Sequence, residues 1–219
     1  MGFFYRSAVS LLYRRKTYER RQLTYSSIIY SLLENAKGNI LDIGTGTGSI
    51  FDLLHPKSEE LMVGLDVDRT AVKSLGKRRF NAVIADAEHM PFRDGIFHAT
   101  LLISCIEHLS CAPRCVKEIK RVTVENGSCI VQLPNLQWPI EPHTKFPLLG
   151  FMPNPISSVV KKSESYNSLY LSTSLKKVLV WFSQAGFANV ARQKIYPDFH
   201  FLRIFPWPLG WFLVFRKIK

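Results

Sequence analysis

A chain of 219 residues with 47% hydrophobic and 21% charged residues has the apolar material for one globular domain, which excludes a disordered polymer. Its net charge of +12 suits an anionic surface, nucleic acid or an acidic ligand as partner, or simply a solvated basic face. No run of about 18 apolar residues exists to span a bilayer. The four cysteines, Cys105, Cys111, Cys115 and Cys129, form neither a disulfide framework nor a paired zinc pattern, which suits a reducing cytoplasm.

The chain opens with MGFFYRSAVSLLYRRK, in which Arg6 splits the apolar stretch and no small-residue cleavage site follows, so no secretory leader is expected. Arg6 also stands where a myristoylation signal carries Ser or Thr. Arg6, Arg14, Arg15, Lys16, Arg20 and Arg21 interleave with Phe3, Phe4, Tyr5, Leu11, Leu12 and Tyr13. Such a basic amphipathic segment suits peripheral contact with an anionic membrane; nucleic acid and a plain solvated face are the alternatives. Residues 1–36 are therefore set apart as an N-terminal basic, helical segment expected to cap the site, ahead of a domain over 37–219.

Within 18–36, Leu23, Ile28, Ile29, Leu32 and Leu33 recur at helical spacing, and Gly38 follows. Residues 39–43 (NILDI) form a short buried strand, 49–55 a helix leaving a glycine loop, and 61–66 (LMVGLD) a second strand. A helix over 70–77 is expected to end at Gly76; strands follow at 81–86 and 99–104. The helix over 113–122 turns Cys115, Val116, Ile119 and Val122 inward, and Asn126-Gly127 makes a turn into a strand at 128–134. From about 135 to 170 five prolines lie among aromatics, which reads as an irregular insert. A helix with a Ser/Thr start and Gly186 as stop then precedes closing strands at 189–196 and 210–218. Apolar strands alternating with helices predict a doubly wound α/β domain with a parallel sheet covered on both faces.

The segment LDIGTGTGSI (41–50) places a glycine loop between a strand and a helix, the arrangement that cradles phosphates and dinucleotides. A triphosphate loop needs Lys followed by Ser or Thr, and Ser49-Ile50 stand there instead. The dinucleotide spacing is broken too, with Gly48 one residue early and Ser at 49. Asp42, just before the loop, would repel pyrophosphate and favours a ligand carrying positive charge.

The segments ILDIGTGTG (40–48), GLD (64–66), ADAEHMPF (85–92), ISCIEHL (103–109) and VKEIKRVTVENG with IVQLPN (116–135) resemble a known family in order and spacing. It is that of the class I S-adenosylmethionine-dependent methyltransferases, above all their ubiquinone/menaquinone-methyltransferase-like, type 11 branch. The resemblance covers residues 25–135, with weaker echoes in 171–187 and the last strand. It implies a Rossmann-like sheet of seven strands, mostly parallel with the last antiparallel, and S-adenosylmethionine as cofactor, released as S-adenosylhomocysteine.

The resemblance also implies roles. Asp42 and the amides from Gly44 through Thr45 and Gly46 to Gly48 would face the methionine part, with glycine permitting close approach. Asp66 would take both ribose hydroxyls, with Val67 beside it at the cofactor; Asp68 suits the neighbouring helix cap better. Asp86 would reach the adenine amino group, Ala87 would donate its amide to the ring, and Ser104 to Ile106 would lie beneath the transferred methyl. Two positions depart from the family: His98 stands where an acidic residue is usual, and His89 replaces an apolar residue as a surface substitution.

The fourth strand lacks the D/N-P-P-Y/F stretch of amino-group methylation of bases and reads Ser104-Cys105-Ile106-Glu107-His108. His108 is the first candidate for a general base, because relatives place this Glu-His pair at the mouth of the site; the plainer alternative is a histidine that only hydrogen-bonds locally. His143, beside Glu141 in the insert where this family builds its acceptor pocket, is the second. His55, His98 and His200 are structural. A His108, Cys111, Cys115 cluster lacks zinc spacing, so no metal is expected. The expectation is a cytoplasmic methyltransferase, with peripheral membrane contact as an option, for a small or lipid-like acceptor, acting at oxygen or carbon. A nucleic-acid methyltransferase or a non-catalytic S-adenosylmethionine-binding protein are its rivals.

Overall fold

The computed structural model describes residues 25–33 apart from 26 and 32, then 38–54, 61–135, 173–196 and 208–218. The insert with His143, the basic run before residue 25, His55 and His200 lie outside these residues. The strands are β1 (Ile40–Ile43), β2 (Met62–Asp66), β3 (Asn81–Ile84), β4 (Phe97–Ile103), β5 (Thr123–Pro134), β6 (Phe187–Ile195) and β7 (Gly210–Lys217). Between them stand α1 (Ser49–Leu54), α2 (Arg69–Lys77), α3 (Ala112–Val122) and α4 (Leu175–Gln184), with a 3-10 turn at Ile106–His108.

All seven strands join one sheet in the order β3-β2-β1-β4-β5-β7-β6. β1 pairs in parallel with β2 and β4, β2 with β3, and β4 with β5, whereas β7 runs antiparallel to both β5 and β6. The expected seven-stranded, mostly parallel, Rossmann-like sheet is thus found, with β7 as its reversed strand. Sequence alternation sends side chains to two cores. Leu41, Ile43, Leu102, Val131 and Phe215 pack with Cys115, Val116, Ile119, Val178 and Phe182 of α3 and α4. Ile40, Leu101, Ile130 and Phe212 pack on the other face with Ile50, Phe51, Ile28 and Ile29. The described part of the N-terminal helix is bound into this second core, with the Tyr25 ring edge-on to Phe212 at 5.1 Å and the Tyr30 hydroxyl donating to the Leu54 carbonyl at 2.6 Å.

Helix ends follow local chemistry. The Asp68 carboxylate accepts the Thr70 and Ala71 amides and so starts α2, and the Ser174 hydroxyl caps α4. Two expectations need correction. Gly76 does not end α2, which continues to Lys77 before the chain reverses at Arg79 with φ +62°. The reversal is fixed by the next turn: the Arg78 guanidinium reaches the Thr47 carbonyl at 2.8 Å, pairs with Asp52 and lies 4.7 Å over the Phe80 ring. Nor does Asn126-Gly127 precede β5, which already runs from Thr123. Phe97 pairs with Thr123 but Ala99 with Ser128, so the extra residues bulge out of the ladder, Asn126 adopting φ +61°. Among the described residues no helix is long and apolar enough to cross a membrane.

Candidate functional site

In an open α/β sheet the ligand crevice opens at the carboxyl ends of the strands where the strand order reverses. Here that point lies between β1 and β4, because the chain goes from β1 out to β3 on one side and resumes with β4 on the other. Asp42, Asp66 and Ser104 all stand at strand ends beside it.

The glycine loop is wired to β2. The amides of Gly44 and Thr45 both donate to the Leu65 carbonyl, at 2.8 and 3.1 Å, and the Gly46 amide donates to Asp66 Oδ2 at 2.7 Å. Asp66 Oδ1 accepts the Asp68 amide at 2.9 Å. A carboxylate oxygen has two acceptor sites, so each oxygen of Asp66 keeps one for a hydroxyl. Gly44 and Gly46 need to be glycine for different reasons. At Gly44 (φ +72°) a Cβ would come within 2.5 Å of Cys105 Sγ, so bare backbone lets β4's exit turn close on the loop. At Gly46 (φ +50°) a Cβ would meet no atom of the described residues within 4 Å, so none of them crowds its outer side.

Asp42 is 1% exposed, and its Oδ2 has no hydrogen-bond partner; the buried Thr45 Oγ1 is likewise unpartnered. Burial pushes the Asp42 carboxyl up to about 7; the Thr45 side chain opposes the shift and the Asp66 charge adds to it. Cys105 is held as a thiol by burial and then by the charges of Glu107, Asp66 and Asp42, so it is no nucleophile at neutral pH.

Beyond β2, Val67 is 67% exposed, an apolar surface next to Asp66. The segment after β3 carries Asp86, whose Oδ1 accepts the Glu88 amide at 2.8 Å and whose carboxylate is otherwise largely open, and Ala87, which is buried. Two clamps hold this segment. Arg121 on α3 donates to the carbonyls of Met90 and Phe92, at 2.9 and 2.7 Å, and to Asp94 and Glu118. Glu118, its carboxyl lowered chiefly by Arg121, accepts the Met90 amide at 2.8 Å. Buried Glu88 accepts the Ser110 hydroxyl and the Cys111 amide, each at 2.5 Å, and so ties the Asp86 segment to the turn bearing His108. Neither clamp was marked in the sequence, where Arg121 and Glu118 look like ordinary helix charges three apart.

Ser104 is exposed, adopts φ +49° and donates its hydroxyl to Gln132. His108 ends the 3-10 turn and is half-buried, its amide donating to the Cys105 carbonyl at 2.9 Å. His98 accepts the Asn39 amide at Nδ1, a structural use, and the His89 side chain is exposed. Sequence reasoning passed over Glu107 as a site residue: it is fully buried, and neither carboxylate oxygen has a partner.

At this end of the sheet Asp42 thus offers an unpartnered carboxyl oxygen, Asp66 a carboxylate with acceptor sites left over, and Val67 an exposed apolar surface, and a ligand with a cationic end, hydroxyl donors and a flat apolar part would suit such groups. That is the chemical outline of S-adenosylmethionine. Residues 41–131 match the family model for a methyltransferase domain. An uncharacterised protein of Methanocaldococcus jannaschii is 25% identical over 84% of this chain and 82% of its own length. The ubiquinone/menaquinone biosynthesis C-methyltransferase of Desulfotalea psychrophila is 29% identical over 72% of this chain and 68% of its own. Shorter matches carry the names of a malonyl-[acyl-carrier protein] O-methyltransferase and of tRNA methyltransferases. The crystal structure of an S-adenosylmethionine-dependent methyltransferase from Mesorhizobium loti superposes with a TM-score of 0.68 at 11% identity, covering 87% of this chain and 96% of that one.

Proposed function

From the premise that this chain is a class I S-adenosylmethionine-dependent methyltransferase with a type 11 domain, we propose that it methylates a small or lipid-like acceptor at oxygen or carbon. The observation that supports the placement of the cofactor is the wiring of the glycine loop onto Asp66, with an unpartnered Asp42 oxygen beneath it. When bound, S-adenosylmethionine supplies a methyl group on a positively charged sulfur. The chain's task is to orient and to exclude water, since alignment of acceptor, methyl and sulfur contributes most to such a displacement.

In this reading Asp66 holds the ribose hydroxyls, Val67 and Ala87 flank the adenine with Asp86 at its amino group, and the Gly44–Gly48 loop with Asp42 and Thr45 seats the methionine part. Ser104 lies under the methyl. His108 takes the acceptor's proton where one must leave, with His143 as the second candidate. The aromatic residues Trp138, Phe146 and Phe151 of the insert favour an apolar acceptor, and the basic residues before 25 favour an anionic membrane surface, reached from the cytoplasm.

The test is to incubate the protein with methyl-labelled S-adenosylmethionine and a mixture of lipid extract, quinols and RNA, then follow the label. Label in the organic phase supports the reading. Label in RNA replaces it with the nucleic-acid alternative, and tight cofactor binding without any transfer replaces it with a binding protein.

A further inference from the structure

The two edges of the sheet differ in charge. Asp42, Asp66, Asp86 and Glu88 stand on or after β1, β2 and β3, whereas the described segments 173–196 and 208–218 contain no Asp or Glu. β6 is the edge strand there, bonded to β7 among the described strands and exposed from Asn189 to Lys194. Arg192 pairs across the ladder with Leu213 and Lys194 with Trp211, and directly opposed residues of antiparallel strands share a face. Leu213 and Trp211 pack in the core with α3 and α4, so Arg192 and Lys194 project on α4's side of the sheet. Only Ala185 and Gly186 join α4 to β6, and α4 packs back along that strand. A rise of ~1.5 Å per residue carries the exposed Lys176 and Lys177 roughly 12 Å back from Gln184, about four strand residues, level with Ala191 and Arg192. Four cations thus gather on one surface, and none of them has an ion pair among the described residues. Three exposed apolar side chains stand among them: Val180 on α4 at 43%, Val190 at the bulge in β6 at 52%, and Tyr196 at 41%. Charges on an edge strand also deter pairing with other strands, but Lys176 and Lys177 lie on a helix, where there is no edge to guard.

We propose that this α4–β6 surface docks on a bilayer rich in anionic lipid. Cations in an acid-free setting are drawn to the charge of the leaflet, and the apolar groups between them enter the headgroup layer. Val180 and Val190 favour lipid over RNA, whose bases and phosphates offer a valine neither stacking nor a hydrogen bond. Ile195 pairs with Gly210 and Gly210 with Pro134, so β6 ends where β5 ends, at the crevice end of the sheet. Docking on this surface therefore brings that end close to the membrane. That a lipid-like acceptor is reached in this way rests on the function proposed above; the docking itself does not.

The experiment is co-sedimentation of the full chain with phosphatidylcholine vesicles, with and without phosphatidylglycerol. The wild type should bind only the anionic vesicles. Each cation at an anionic leaflet strengthens binding about fivefold, so Arg192→Glu/Lys194→Glu and Lys176→Glu/Lys177→Glu should each weaken it at least about tenfold. Lys73→Glu/Lys77→Glu on α2 makes the same change of charge beside the other half of the sheet and should weaken it far less. All three variants should bind S-adenosylhomocysteine as the wild type does, which reports an intact fold. A check without variants is hydrogen exchange of the wild type, in which the amides of 188–194 should slow on anionic vesicles. Equal losses in the α2 and α4–β6 variants, no loss in the latter, or exchange at 188–194 indifferent to the vesicles overturns the inference. So does RNA binding that weakens in the α4–β6 variants while vesicle binding does not. Vesicle docking with no methyl transfer to lipid would sink the lipid-like acceptor and spare the docking, whereas transfer to lipid without vesicle docking would sink only the docking.

Discussion

Replacing Gly44 or Gly46 with alanine adds the same methyl group to the same loop, yet the two changes should fail in opposite ways. Both residues have left-handed backbone, φ +72° and +50°, where an alanine costs about 1–2 kcal/mol. At Gly46 the described residues add no steric cost to this, because the new Cβ meets none of their atoms within 4 Å and the amide still donates to Asp66. The methyl would instead project into the ligand's space, and cofactor affinity should fall at least about tenfold, or ~1.4 kcal/mol. At Gly44 the new Cβ would lie 2.5 Å from Cys105 Sγ and 2.9 Å from Cys105 Cβ, which adds an overpacking cost of about 1–3 kcal/mol. Gly44→Ala should therefore lose about 2–5 kcal/mol in urea unfolding. Cys105→Ala in the same chain should restore only part of this, since it removes the sulfur and leaves the Cβ contact. Urea unfolding and calorimetric titration with S-adenosylhomocysteine on all four proteins separate the two losses. Wild-type affinity in Gly46→Ala would refute the claim that the ligand approaches this backbone.

Three further outcomes follow from the same geometry. Arg121→Ala should cost about 2–4 kcal/mol, and Arg121→Lys should recover less than half of it, because a lysine cannot span Met90, Phe92, Asp94 and Glu118 at once; amide exchange over residues 86–94 should quicken, and unchanged exchange contradicts the clamp. Asp42 and Glu107 both have folded-state values raised above their ordinary ones, from 3.8 to about 7 and from 4.5 to about 8. Their contribution is fully present below about pH 4 and is lost as pH rises through 7 and 8. The ligand-free protein should thus have a falling urea midpoint between pH 5 and 8.5, with a shallower fall in Glu107→Gln; a rising midpoint contradicts both assignments. His108→Ala should lower kcat by about 10²–10⁴ for an acceptor that must lose a proton, leaving cofactor affinity intact; equal kcat in variant and wild type removes His108 as base.

What the sequence made legible is what rests on local patterning. Apolar runs such as ILDI and SCIVQLP bury on both faces of the sheet whatever their partners, and Asp68 and Ser174 cap their helices through chemistry confined to a few residues. The expectations that failed depended on distant groups. Gly76 lost the helix end to Arg79 because Arg78 is anchored on Asp52 and Phe80, and Asn126-Gly127 became a bulge because β4 and β5 pair on either side of it. Arg121 and Glu118 are charged helix residues until the fold brings four backbone and side-chain partners to them. Glu107 is the clearest case: a glutamate beside a histidine looks solvent-facing on paper. Only the turn after β4, closing on Gly44, shows it fully buried without a partner.

The most direct test of the central claim is a crystal structure of the full chain with S-adenosylhomocysteine. The account predicts ribose hydroxyls in hydrogen-bond contact with Asp66, the adenine between Val67 and Ala87, and the methionine part against Gly46 and Asp42. A ligand seated elsewhere, or one that leaves Asp66 and Asp42 untouched, would contradict it.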